Sequence, residues 1–241
     1  MENQKLTKNR DSLLFGLGLA AGVTAGIALR QRSGSPPQLP QAAAWQRALE
    51  QNNGERQAAL LIAQAQARFA ELYARRPHFE HSALRMHLEQ NILPGLALYQ
   101  VLFETAGDQE AALVDVDLAL IAGAQQGGQQ KLFSLAQRLP DPFAILRLAN
   151  RWMLRSLFPA SGWDIRWLED NPDCVAYNIH DCFYRNVLAA YKAPELTAHF
   201  CKLDDEKFGS LPYTTWERTQ TLGRGDPYCN FRFRRVHSTY G

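Results

Sequence analysis

The stretch Val175-Ala-Tyr-Asn178-Ile-His180-Asp181-Cys182-Phe-Tyr-Arg185 decides how this chain reads, together with two later pieces. These are Cys201-Lys-Leu-Asp204-Asp205 and Arg218-Thr-Gln-Thr221-Leu-Gly223-Arg-Gly225-Asp226-Pro-Tyr-Cys229-Asn-Phe231-Arg232-Phe233. Three of the four cysteines fall here, 19 and then 28 positions apart, each on a different predicted element. Residues 163–168 and 174–179 alternate as strands around the turn residues Asp170-Asn-Pro-Asp173. A short helix over 181–191 takes Asp181 as its N-cap, and Pro194 opens a second helix that carries Cys201 towards its end. Residues 214–222 and 228–236 then read as a hairpin around Gly223-Arg-Gly-Asp-Pro227.

Working back towards the N-terminus, residues 41–159 are helical in composition, with breaks at Asn52-Asn53-Gly54, Arg76-Pro77, Leu93-Pro94-Gly95, Gly107-Asp108, Gly127-Gly128 and Leu139-Pro140-Asp141-Pro142. Ala58, Leu61, Ile62, Ala65, Phe69 and Leu72 form the apolar stripe of one amphipathic helix. Pro94 suits a first helical turn, Gly107 a helix stop and Asp108 the cap of the next helix, over 109–121. The expected fold class is α+β: a helical N-terminal half followed by a small antiparallel sheet with helices packed on one side.

Residues 12–29 carry no charge and are flanked by Lys8, Arg10 and Asp11 before and Arg30 and Arg32 after. That length just spans a bilayer, and the run ends in Leu29-Arg30-Gln31-Arg32 without a cleavage pattern, so one N-terminal transmembrane helix is expected. Gly18, Gly22 and Gly26 recur on one face, the spacing that lets two membrane helices pair as a homodimer; glycine is also simply common in such helices. The expected organisation is an anchor over 1–32, a Pro/Ser/Gly linker over 33–40 and a soluble domain over 41–241.

Bulk properties narrow the function classes. With 241 residues, 46% of them hydrophobic, the chain can bury a core, and a net charge of +2 without a basic run argues against a nucleic-acid partner. Four scattered cysteines do not make a disulfide scaffold, so free thiols in a single-pass membrane protein with a cytoplasmic domain are expected. Neither a phosphate loop, a His-Glu-x-x-His nor a Gly-x-Ser-x-Gly occurs.

The ordered set Asn178 with Cys182, Cys201 with Asp204, then Arg218, Thr221, Gly225, Cys229, Phe231 and Arg232 resembles the L-2-amino-thiazoline-4-carboxylic acid hydrolase family. Leu93-Pro94-Gly-Leu-Ala-Leu-Tyr99 and the helix after Gly107 extend the resemblance to about 58–233, leaving out the anchor. His180-Asp181 departs from the family pattern. A looser likeness runs to 4-vinyl reductase-type ligand-sensing domains, some of which bind zinc through cysteines. The first resemblance implies hydrolysis of a cyclic C–N bond in a small carboxylated substrate, without a cofactor. Cys182, at a helix N-terminus where the dipole favours a thiolate, is the candidate nucleophile, with His180 and Asp204 as base or orienting groups. Asn178, Arg218, Cys229 and Arg232 are candidate substrate contacts, the two arginines as a fork for a carboxylate. Two other readings stay open: free cysteines are ordinary small core residues, and Cys182, Cys201 and Cys229 with Asp204 or His180 have the donor types of a zinc site.

Overall fold

The stripe from Ala58 to Phe69 does become a buried helix face. The computed structural model describes residues 37–126 and 135–236, and Ala58, Leu61, Ile62, Ala65 and Phe69 are the buried residues of its longest helix. This helix, α2 (Glu55–Ala74), follows α1 (Ala42–Asn53) across Gly54, whose φ of 74° suits glycine. Next come α3 (Ser82–His87), a π-helical turn (Leu88–Ile92) and α4 (Leu93–Ala106). Helix α4 is buried nearly all round and packs against α2 and against α5 (Gln109–Gln125), which runs past the expected end at 121. Pro94 lies in the first turn of α4, Gly107 closes it with a left-handed φ of 66°, and the Asp108 carboxylate accepts from the Glu110 amide at 2.8 Å. Asp141 caps α6 (Pro142–Leu157) through the Ala144 amide at 2.9 Å.

The remaining elements are β1 (Trp163–Asp170), β2 (Cys174–Cys182), α7 (Phe183–Ala190), α8 (Leu196–Phe208), β3 (Thr214–Glu217), a 3-10 turn (Leu222–Arg224) and β4 (Cys229–Arg235). The sheet order is β1-β2-β4-β3, antiparallel throughout. Asn171 holds the β1–β2 turn by accepting from the amides of Asp173 and Cys174 at 2.9 and 2.8 Å. Val175, Tyr177, Phe231 and Phe233 alternate onto the packed face, where the Tyr177 and Phe231 rings stack at 4.9 Å.

Three local expectations are corrected. Cys182, not Asp181, is the N-cap of α7, because β2 runs on to Cys182 and Asp181 instead accepts from the Cys182 amide and from Asn186. The strand expected over 214–222 stops at Glu217, because the Asn230 and Asp226 side chains take the amides of Gln220 and Thr221. Pro194 does not open α8 but lies two residues before its first residue, Leu196, with Glu195 at the N-cap. The expected membrane helix at 12–29 and its glycine face lie outside the described residues. Among those described, no helix is long and apolar enough to cross a membrane.

His87, 6% exposed, sits just before the π-helical turn with the rings of Phe158, Trp163 and Tyr184 at 5.0–5.5 Å. Its Nε2 lies 2.9 Å from the Leu157 carbonyl, which can only accept, so Nε2 carries the proton and Nδ1 accepts from the Tyr184 hydroxyl at 3.0 Å. Burial lowers its pKa to about 4. An unfolded imidazole protonates near 6.5 while the folded one resists, so this contribution to stability is complete above pH 6.5 and lost as pH falls towards 4. The loss is roughly 3 kcal/mol. Urea unfolding between pH 7 and pH 4 should show wild type losing about that much more stability than His87→Gln; parallel pH profiles would contradict the buried neutral ring.

Candidate active site

Strict alternation along β2 would send Ile179 and Cys182 to opposite faces of the sheet, because they are three residues apart. The β1–β2 register prevents this. Asp164 pairs with Asp181 but Ile165 pairs with Ile179, so His180 is the extra residue of a β-bulge. The bulge returns Cys182 to the packed side, where it joins the hydrophobic core. Cys229, opposite Ile179 at the start of β4, reaches the same side, and Cys201 comes from the middle of α8. The Cys201 and Cys229 sulfurs are hydrogen-bonded to each other, and both Cys201 and Cys182 feel the Asp204 charge. All four cysteines are free of disulfides.

The loop 218–228 seats this cluster. A Cβ on Gly223 would stand 2.9 Å from the Ala198 backbone and 3.0 Å from Cys201 Sγ, so the 3-10 turn approaches α8 as only glycine permits. The Leu222 amide donates to Cys229 Sγ at 3.2 Å, and Cys229 Sγ lies 3.5 Å from Thr221 Oγ1, to which the neutral thiol donates and from which the thiolate accepts. Thr221 Oγ1 also accepts from the Gly223 amide.

These partners separate the three thiols. The Cys201 bond, then the Thr221 hydroxyl and the Leu222 amide, hold the Cys229 thiol below its ordinary value despite burial. Cys201, donor to Cys229 and also buried, is pushed far up. Burial pushes Cys182 up to about 11, and the amides of Arg185 and Tyr184 lower it only in part. The helix N-terminus therefore does not make Cys182 the low-pKa thiol: neither amide makes a true cap bond to its sulfur, and desolvation outweighs them.

Arg218 departs from its expected place on a hairpin strand facing Arg232. One residue beyond β3, it turns under the sheet with its side chain 2% exposed. Its guanidinium donates to Asp204 at 3.1 Å, to Asp205 at 2.6 Å and to the Cys201 carbonyl at 2.6 Å. Burial opposes the Arg218 charge but the two carboxylates outweigh it; for Asp204, burial outweighs Arg218 and raises the carboxyl. Arg218 Nε is buried without a partner.

The other candidates lie elsewhere. Asn178 and Arg232 fall on the opposite face of the sheet, where Arg232 donates to Asn178 Oδ1 at 2.8 Å and to the Tyr177 carbonyl at 2.9 Å. His180, in the bulge, lies against the Tyr228 ring at 5.2 Å. The arginine fork and the Cys182–His180 pair are thus not assembled. Among the described residues no group of three or more His, Cys, Asp or Glu side chains is placed to hold a metal ion. The role of Thr221 and the Leu222 amide was missed, although both stand in the quoted motif; the Thr-x-Gly spacing, in which the hydroxyl caps the glycine amide, is the signal.

Brief iodoacetamide treatment at pH 7 followed by peptide mass analysis should modify Cys229 ahead of Cys182. Cys182 labelling should rise only as pH climbs from its ordinary 9 towards about 11. Faster labelling of Cys182 at neutral pH would reverse the assignment.

Comparison with known proteins places these residues in context. The profile of the family described as L-2-amino-thiazoline-4-carboxylic acid hydrolase matches residues 85–233, more than half of the chain and all of the thiol cluster. No curated protein matches. Among solved structures, the crystal structure of the Fe(II) unliganded H-NOX protein from K. algicida aligns with a TM-score of 0.40 at 13% identity, over 85% of this chain and 100% of that one. An alanine-to-glycine mutant of the same protein aligns with a TM-score of 0.37 at 13% identity, over 82% and 96%. With the family profile running from the end of α3 through β4, this chain belongs to the L-2-amino-thiazoline-4-carboxylic acid hydrolase family.

Proposed function

We propose that the chain is a hydrolase that opens the ring C–N bond of a small, carboxylated cyclic amidine such as a thiazoline carboxylate, with Cys229 as its nucleophile. The observation that carries this is the Cys229 sulfur, held by the Leu222 amide, the Thr221 hydroxyl and Cys201, in a chain of this family. In the proposed reaction the Cys229 thiolate adds to the amidine carbon. The ring C–N bond breaks and the nitrogen leaves as an amine after gaining a proton. Water then adds to the thiol-bound carbon, the bond to sulfur breaks, and a carbamoyl product and the free thiol result. Asp204, whose charge reaches Cys182 and Cys201, is an acid beside the cluster, and Cys182 lines the same side of the sheet as a neutral thiol. Arg218 Nε offers one buried donor to the substrate carboxylate, while its other nitrogens stay with Asp204 and Asp205. The proposal keeps the segment 12–29 as a membrane anchor with the domain on the cytoplasmic side.

A binding module without turnover is the second reading. The burial of Cys229, 5% exposed, favours it, because substrate must first open the loop 218–228. Turnover of L-2-amino-thiazoline-4-carboxylate separates the two. Cys229→Ser should lower kcat on the order of a thousandfold or more with the melting temperature unchanged, whereas Cys182→Ser should lower it far less. Binding without turnover in wild type would favour the module, and full activity in Cys229→Ser would remove the nucleophile.

A further inference from the structure

Helix α6 is apolar on two sides. Phe143, Leu146 and Leu154 face inwards and are buried, yet Ile145, Leu148 and Trp152 repeat on the outer side, with Leu148 64% and Trp152 50% exposed. A helix apolar around most of its circumference is normally covered. The face continues onto β1, at the sheet edge, where Trp167 and Leu168 are exposed, Leu168 because it is the extra residue of a second bulge opposite Tyr177 and Ala176. Between the two elements lies a cleft of about 290 Å³, lined in part by Arg151 and Arg155.

We propose that this face of α6 and β1 rests on a bilayer carrying anionic headgroups. Its charge selects that occupant. Residues 135–157 contain four arginines and a single acid, Asp141, which is already tied to Arg235; β1 adds Glu169 and Asp170 at the cleft. Arg147 and Arg151 share Asp170, leaving Arg155 beside the exposed Trp152 and Arg138 ahead of the helix. Tryptophan and leucine flanked by arginine suit the interface, with the rings among the acyl chains and the guanidinium groups at the phosphates.

The test uses the full chain with vesicles of phosphatidylcholine and phosphatidylglycerol bearing brominated acyl chains. The segment 1–36 contains no tryptophan, so any quenching reports the domain. Anionic vesicles should quench the fluorescence, most of that quenching should vanish in Trp152→Phe/Trp167→Phe, and Leu148→Glu should abolish it without changing the melting temperature. Resistance to carbonate extraction, read separately, reports the anchor and should persist in all variants. Quenching that is unchanged in the double variant overturns the proposal whatever the carbonate result. So does a dimer in detergent that Leu148→Glu dissociates, which would assign the face to a second copy.

Discussion

The buried guanidinium of Arg218 fixes the rest of the site. By reaching Asp204, Asp205 and the Cys201 carbonyl together, it pins the β3–β4 connection to α8. Only with that connection held down does the 3-10 turn meet Ala198 and Cys201, and only then does the Leu222 amide point at Cys229. The rings of Trp216 and Phe231 lie under the guanidinium at 5.9 and 5.6 Å. Water still reaches the carboxylates, since Asp204 and Asp205 keep 34% and 49% of their side-chain surface exposed. Breaking the pair should therefore cost well under the roughly 3–5 kcal/mol of a fully enclosed one. The arrangement orders a loop more than it stabilises a fold.

Two thiols in contact cannot both ionise easily. The proton stays on the one with fewer donors aimed at it, and here that is Cys201, which leaves Cys229 with the Leu222 amide and the Thr221 hydroxyl. The division needs no metal and no histidine. It also gives Cys182 a different character from the one its position suggests: enclosed near the other sulfurs, it behaves as a neutral thiol.

Much of the architecture was legible because its signals are local. The apolar stripe of α2, Pro94 in the first turn of α4, the Gly107 stop and the Asp108 cap each need only a few neighbouring residues. The antiparallel sheet also followed from the pattern of strands. What failed depended on distant partners. Thr219 and Thr221 look like strand residues, but the Asn230 and Asp226 side chains capture the neighbouring amides and end β3. The bulge at His180 is set by pairing with β1, and no count along β2 alone reveals it. Sequence spacing pairs Arg218 and Arg232 as a fork, yet one turns under the sheet and the other grips Asn178 on the far face. The depressed thiol of Cys229 depends on an amide seven residues earlier in the chain.

The central claim is that carbon–sulfur bond formation at Cys229 precedes hydrolysis. Wild-type protein mixed with excess L-2-amino-thiazoline-4-carboxylate, quenched in acid within one turnover and digested, can be read by peptide mass. The account predicts that the substrate's mass appears on the peptide containing Cys229 and on no other cysteine, and disappears as product accumulates. An adduct on Cys182, or substrate consumed with no adduct at all, would contradict it.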